Sequence, residues 1–386
     1  MSPLRVLAVI KTLDRGGAET LLADAVERLD RASFAVTVAR ILDDADGLTP
    51  RFGRAGVPVV NLGARSGTDP RWVWRLARLL REVPFDVIHT HSPIAAPAAR
   101  LLAPAATPVV HTEHSAWDLL HPLTRWSNAL TYPGADEVVA VSHAVAATIR
   151  PPSLLAAASW PTVGVVHHGI DPAGRPSGPA ARAAARATLG LGQDEEVVGC
   201  VANFAPKKGH DVLVDAFAAL RARRPSLRLV LVGFGPSEED VRAHVRRRGV
   251  ADATLFTGDR DDVADLLPAF DVFALASRHE GFGLVVLEAM AAGVPVVATT
   301  VDGLPEAVGS AAAGRLVPPG DADALAEAIE EVLADPAAAA QQVEAGAARV
   351  EQIRPEAAVD RLAELYHRVA RSGPAGRGRG VGGTLR

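Results

Sequence analysis

Two carboxylates with seven residues between them, Glu280 and Glu288, flank a pair of glycines, Gly281 and Gly283. The segment follows an apolar strand-like run at 271–276 and opens a helical pattern at Leu284. Glycines at such a junction let the backbone approach a ligand closely. The amides of Gly283, Leu284 and Val285 at a helix start have no intrahelical acceptor and form a ready anion site, suited to a diphosphate. Beside a diphosphate both carboxylates suffer like-charge repulsion, so something must offset it. Sugar hydroxyls do so, because an ionised carboxylate accepts charge-assisted hydrogen bonds from the vicinal diol of a ribose or hexose. Taken alone, the same residues read equally well as a helix-dipole cap at Glu280 and a solvated face at Glu288.

A diphosphate also needs a cation, and Asn203-Phe204-Ala205-Pro206-Lys207-Lys208-Gly209-His210 offers one where a strand hands over to a helix. Lysines on loops are usually only solvated, and it is the position after a strand that singles out Lys207 and Lys208. In the first half, Asp14-Arg15-Gly16-Gly17-Ala18-Glu19 joins strand to helix through paired glycines and can present a backbone amide to a ligand, or simply make a tight turn. It lacks the first, third and sixth glycines of the dinucleotide fingerprint, which removes the main support for a nicotinamide cofactor. His89, His91, His111 and His114 also follow strands. No pair has the helical spacing of a hydrolytic zinc site, and alternation along a strand sends His111 and His114 in different directions, so polar contacts with a ligand are the expectation.

The elements that must position these residues alternate in type. Apolar runs at 4–10, 35–40, 86–90 and 107–112 are separated by amphipathic stretches, the first at 18–29. That alternation predicts a parallel sheet covered by helices on both faces. A Pro/Gly/Ser cluster at 171–179 reads as a linker, and a second alternating series follows through 197–299. The expected division is therefore 1–170, 171–355, an amphipathic helix at 356–370 packing back toward the first domain, and a Gly-rich disordered tail at 371–386. At 386 residues, two doubly wound α/β domains suit the length. With 48% hydrophobic and 22% charged residues, neither bulk disorder nor a fibrous repeat is indicated. A formal net charge of −5 gives no general attraction to nucleic acid. The single cysteine, Cys200, sits in an apolar run and reads as a buried thiol. The absence of a basic-then-apolar leader makes the cytoplasm the expected compartment.

The stretch from Glu280 to Glu288 resembles the signature of the family 4 glycosyltransferases. Leu231-Val232-Gly233-Phe234-Gly235-Pro236, Phe256-Thr257-Gly258, Ala291-Ala292-Gly293-Val294-Pro295 and Gly303-Leu304-Pro305-Glu306 resemble further landmarks of that family, in the same order. A weaker likeness runs through Gly16-Gly17-Ala18-Glu19, Asp86-Val87-Ile88-His89 and Val141-Ser142. The resemblance implies a GT-B fold, two Rossmann-like domains facing across a cleft, with an acceptor on the first and a nucleotide-sugar donor on the second. It implies retention of anomeric configuration, no metal and no cofactor, with a UDP-sugar favoured over a GDP-sugar. It places Glu280 and His114 beside the transferred sugar and Glu288 on the ribose. Gly281, Phe282, Gly283, Leu284 and Lys208 fall on the diphosphate, with Gly17 as a backbone partner and Arg260 and Val263 near the base. Many relatives carry an arginine five residues before the lysine of the Lys-Gly pair. Asn203 stands there in this chain, and Lys207 is the candidate to compensate.

An epimerase or sugar phosphorylase of the same fold, or a non-catalytic nucleotide-sugar-binding protein, would account for the paired domains as well. The stretch Arg71-Trp72-Val73-Trp74-Arg75-Leu76-Ala77-Arg78-Leu79-Leu80-Arg81 predicts a helix with Val73, Leu76, Ala77 and Leu80 on its apolar face. Its four arginines are an ordinary solvated face or a peripheral contact with an anionic membrane, which would bring a lipid-linked acceptor to the enzyme.

Overall fold

A computed structural model describes residues 2–43, 47–150, 152–153 and 160–372. The chain divides into two units, one of residues 1–168 with 355–386 and one of residues 169–354. The expected tail at 371–386 lies outside the described residues except for its first two, Arg371 and Ser372, which close the last helix.

The first unit contains β1 (Leu4–Ile10), α1 (Gly17–Arg28), β2 (Phe34–Leu42), α2 (Thr49–Arg54), β3 (Val59–Ala64), α3 (Arg71–Glu82) and β4 (Val87–Thr90). It continues through α4 (Ala95–Leu102), β5 (Val109–Glu113), α5 (Pro122–Thr131), β6 (Glu137–Ala140), α6 (His143–Thr148) and β7 (Val163–Val165). The second unit holds α7 (Gly178–Leu189), β8 (Val197–Val201), α8 (His210–Arg221), β9 (Arg228–Val232), α9 (Glu238–Arg247), β10 (Thr254–Gly258), α10 (Val263–Leu266) and β11 (Val272–Leu275). Then come α11 (Leu284–Ala291), β12 (Val296–Thr299), α12 (Leu304–Val308), β13 (Arg315–Val317), α13 (Ala322–Ala334) and α14 (Pro336–Gln352). The closing helix, α15 (Pro355–Ser372), returns to the first unit.

The sheets run in the orders β3-β2-β1-β4-β5-β6-β7 and β10-β9-β8-β11-β12-β13. Every pairing between these strands is parallel. Parallel strands need crossover helices, and strand order reverses between β1 and β4 in one unit and between β8 and β11 in the other. At such a reversal neighbouring loops diverge and leave a crevice at the carboxyl ends of the strands, which is where chemistry is expected.

Side chains alternate along each strand, so each sheet feeds two cores. In the first unit Leu7, Val9, Ile88 and Val109 meet α3 and α4 on one face. Val6, Val87 and Val110 meet α1 and α15 on the other. Tyr366 of α15 reaches through that second core, its hydroxyl 2.7 Å from His89 Nδ1. In the second unit Cys200 is buried on β8, and burial pushes its thiol up to about 12.

Two expectations need correction. The linker reading of 171–179 fails at its end, because α7 begins at Gly178 with Pro179 in its first turn, where a missing amide costs nothing. Arg186 of α7, fully buried, explains the fixation. It donates to Asp271 Oδ2 at 2.8 Å and to the carbonyls of Gly192 and Gln193 at 2.8 and 2.7 Å. On α3 the inward face is Trp72, Leu76 and Leu80, with Val73 only partly buried. Trp72 shares its core with Leu62 and Ala64 of β3, and Val73 packs only at the margin of that cluster.

Candidate active site

In the second unit the loops after β8 and β11 flank the reversal of strand order and are bonded into one piece. The amides of Arg278 and His279 donate to the Lys207 carbonyl at 2.7 and 3.2 Å. The Arg278 guanidinium grips both oxygens of Asp211 at 2.8 and 2.7 Å. Gly209, with φ +63°, permits this approach, since a Cβ there would lie 2.0 Å from the Ala276 carbonyl oxygen. No other residue type fits that junction.

On this platform Lys208 Nζ donates to Glu280 Oε2. The two side chains are only 14% and 16% exposed, so their ion pair is shielded from bulk water. The main chain of Glu280 is held from its other side by the loop after β12. Asp302 Oδ2 accepts the Glu280 amide at 2.9 Å, and the Gly303 amide donates to the Glu280 carbonyl at 3.2 Å. Asp302 has φ +41°, and it is the one non-glycine with positive φ among the described residues. The left-handed region costs a residue with a Cβ roughly 1 kcal/mol, and Asp tolerates it better than most. His279 Nδ1 lies 3.4 Å from the same Asp302 oxygen.

Gly283, at φ +88°, caps α11, and a Cβ there would sit 2.4 Å from Leu304 Cδ2. The Phe282 side chain is buried and anchors the turn. The first amides of α11 have no acceptor within the helix and point their partial positive charge past its start. Further along α11, Glu288 Oε1 lies 3.4 Å from Arg175 Nη2, both side chains 22% exposed. Glu288 is thus half-buried and paired, not part of a freely solvated face.

The remaining residues singled out in this unit also lie at carboxyl ends of strands. Asn203 and Lys207 are exposed after β8, with the Asn203 carbonyl accepting the Ala205 amide at 2.8 Å. Arg260 follows β10 and donates through Nε to Asp262 Oδ1 at 2.7 Å, and Val263 opens α10. The structure therefore unites Lys208, Glu280 and the start of α11, and leaves Arg260 and Val263 three strand positions away from β11. Asp302 and Arg175 were not singled out from the sequence. The Asp-Gly dipeptide at 302–303 carried a turn signal, and Arg175 lay in a stretch read only as linker.

In the first unit Gly17 begins α1 at the end of β1, and a Cβ there would meet nothing within 4 Å. Gly17 is therefore free of packing constraint. His114 follows β5, its Nε2 3.3 Å from His91 Nδ1, and the His91 ring lies 4.0 Å from that of His89. These three line a small cavity with Thr112, His168 and Arg361. Burial, reinforced by the neighbouring imidazoles, holds His89, His91 and His114 well below the usual histidine range, and burial takes His168 down to about 4. All four are neutral imidazoles at neutral pH. His89 spends its second nitrogen on Thr112 Oγ1 at 2.8 Å, and His111 is bonded to Thr90 and Glu113. Those two histidines are structural and offer no free ligand atom.

The fold is one of two Rossmann-like units, each with a parallel sheet and a reversal of strand order. Residues 181–349 match the family model of glycosyl transferases group 1, and residues 15–174 match that of glycosyltransferase family 4. The GDP-mannose-dependent alpha-(1-6)-phosphatidylinositol monomannoside mannosyltransferase of Mycolicibacterium smegmatis is 33% identical over 354 residues, 86% of this chain and 89% of that protein. The D-inositol 3-phosphate glycosyltransferase of Jonesia denitrificans is 36% identical over 262 residues, 61% of this chain and 60% of that one. Among solved structures, HepE of Anabaena in complex with UDP-glucose superposes with a TM-score of 0.81 at 25% identity, covering 95% of this chain and 100% of that one. The chain belongs to the family 4 glycosyltransferases, and the fold is GT-B. Nothing in these matches favours the epimerase, phosphorylase or binding-protein readings.

Proposed function

We propose that this enzyme transfers a hexose, with retention of anomeric configuration, from a nucleotide diphosphate sugar bound by the second unit to an acceptor hydroxyl bound by the first. The observation that carries the donor assignment is the joined loop pair after β8 and β11, where Lys208, Glu280 and the open amides of α11 meet at the carboxyl ends of the two central strands. The diphosphate lies against those amides and Lys208, and Lys208 leaves part of its contact with Glu280 to meet the phosphate. Glu280 then turns its carboxylate to the sugar and stabilises positive charge at the anomeric carbon as the bond to phosphate breaks. The acceptor hydroxyl passes its proton to the departing phosphate oxygen on the same face. His114, neutral at pH 7, accepts or donates a hydrogen bond to the sugar without adding charge. Glu288 binds the ribose hydroxyls, with Arg175 holding its carboxylate in place. Gly281 to Leu284 supply the backbone face of the diphosphate site, and Gly17 a backbone contact from the first unit. Asn203, Lys207, Arg260 and Val263 complete the nucleotide end.

The donor reads from sequence as a UDP-sugar first. The mycobacterial relative that matches most of the chain is named for GDP-mannose, so GDP-mannose and UDP-glucose are the pair to compare. That relative is also named for a phosphatidylinositol glycan, which favours a lipid-linked acceptor, approached through salt-sensitive contact of α3 with the membrane. The test is donor binding by ligand-observed magnetic resonance, followed by product mass with lipid and soluble acceptors in excess chelator. Lys208 and the helix amides stand where a divalent ion would otherwise neutralise the diphosphate, so turnover is expected to persist. Loss of turnover restored by magnesium or manganese would overturn this assignment.

A further inference from the structure

Among the described residues eight large hydrophobic side chains are exposed, and seven of them lie between Trp74 and Leu130. The eighth is Phe234, in the other unit. The seven fall on or beside three helices, α3, α4 and α5, that form one layer. Trp72, Leu76 and Ala99 of α3 and α4 share a core with Leu7 and Val9 of the sheet. α5 is locked beside α4 by Arg100, whose Nη1 donates to Asn128 Oδ1 and Thr131 Oγ1, both at 3.2 Å. The layer turns Trp74 outward at 76% exposure, Leu101 at 74%, Leu123 at 75% and Leu130 at 63%. On α5, Leu123, Trp126 and Leu130 follow helical spacing along the outer side, the reverse of what a helix packed on a sheet requires of its solvent face.

The charge on this layer matches one occupant. The three helices carry six arginines, Arg71, Arg75, Arg78, Arg81, Arg100 and Arg125, and a single acid, Glu82, in a chain whose formal net charge is −5. Arg100 is buried, Arg75 Nη1 is spent on the Leu62 carbonyl at 2.8 Å and Arg71 is held by Asp69, its Nη2 2.6 Å from Oδ2. Arg78, Arg81 and Arg125 are left to serve the surface, with only the looser ion pairs Arg78–Glu82 at 3.7 Å and Arg125–Asp118 at 3.8 Å. Exposed leucines and tryptophans rimmed by guanidinium groups are what a bilayer of anionic lipids binds, with apolar side chains entering the acyl boundary and cations meeting headgroups.

We propose that the outer face of α3, α4 and α5 docks on an anionic lipid surface, with Leu123, Trp126 and Leu130 of α5 inserted and the arginines of α3 at the headgroups. This rests on the membrane contact proposed above for α3 and extends it to an inserting element, α5. The docked face belongs to the first unit and would fix the acceptor domain at the surface.

Full-length protein would be sedimented with phosphatidylglycerol and with phosphatidylcholine vesicles at low and high salt. Three forms are compared: wild type, Leu123→Ser with Trp126→Ser, and Arg78→Glu with Arg81→Glu. All substituted side chains are exposed, and thermal melts check that each variant stays folded. The expected result is preference for phosphatidylglycerol, with at least a tenfold loss of binding in each variant. At vesicle concentrations that saturate both variants, the arginine variant should keep the blue shift of tryptophan emission that vesicles induce in wild type, and the apolar variant should lose most of it. Equal binding of the apolar variant and wild type would overturn insertion through α5 while leaving the α3 contact standing. Equal binding of the arginine variant would remove the α3 contact instead. A wild type that fails to bind either vesicle, or that is a dimer dissociated by the apolar substitutions, would assign the face to another occupant and overturn the proposal.

Discussion

At the scale of single residues, the two site carboxylates should fail differently. Glu288→Ala removes an ionised acceptor for ribose hydroxyls, at about 1.5–3 kcal/mol for each charged hydrogen bond, so titration calorimetry with free nucleotide should show at least a tenfold weaker Kd. Glu280→Ala should leave free-nucleotide affinity within a few fold and cut kcat, because its partner is the sugar. Asp302 offers a sharper test. It occupies backbone space suited to glycine in order to place a carboxylate under the Glu280 amide. Asp302→Gly should relax the backbone by roughly 1 kcal/mol, partly offset by the lost hydrogen bond, and so leave the melting temperature nearly unchanged. It should lower kcat with little effect on KM, since Glu280 loses its fixed orientation, and Asp302→Asn should restore part of the rate through its amide oxygen. Equal rates in all three proteins would reduce Asp302 to a turn residue.

At the scale of elements, the alternation of apolar runs and amphipathic stretches carried the parallel sheets, the helices between them and the loops that bear the chemistry. What it could not carry was anything decided by one side chain meeting a distant one. Nothing local in 171–189 tells that Arg186 will be buried against Asp271 and turn the end of a presumed linker into α7. Periodicity on α3 admits either Val73 or Trp72 as the inward residue, and packing with Leu62 and Ala64, residues distant in sequence, decides for Trp72. Glu280, Glu288 and Lys208 were legible because strand-to-helix junctions limit where a ligand can lie, whereas Arg175 and Asp302 act across the fold and left only a turn signal behind. The buried imidazoles of His89, His91, His114 and His168 give this scale its prediction. Their folded pKa values lie below the unfolded value near 6.5, so the unfolded chain binds protons that the folded chain does not. Their neutral form is fully accommodated above pH 6.5, and stability falls as pH drops, for His168 down to about 4. Each contributes about 1.4 kcal/mol per pH unit across its window. Urea unfolding followed by tryptophan fluorescence at pH 7.5, 6 and 5 should show this decline, and His168→Gln should flatten it.

At the scale of the whole molecule, the second unit is a long insertion within the first. Its two ends meet, since a Cβ on Gly169 would fall 1.5 Å from the Ile353 carbonyl oxygen, and the chain then resumes the first unit as α15. Removing residues 355–386 takes away the cover of Val6, Val87 and Val110 and the Tyr366 hydroxyl that His89 uses. Such a truncated protein should lose the cooperative melt of the first unit and expose apolar surface to a reporter dye, while the second unit retains its own melt. A single unchanged transition would show that α15 adds little. The same connectivity orders events during synthesis. The strands of the first unit, beginning with Leu4–Ile10, have one face of their sheet covered only by α1 until Leu365, Tyr366 and Val369 are made, after the whole of the second unit. The second unit has its whole sheet in hand before then. The half begun first is therefore the half completed last, and it must wait with its histidines and part of one apolar face uncovered while its partner closes.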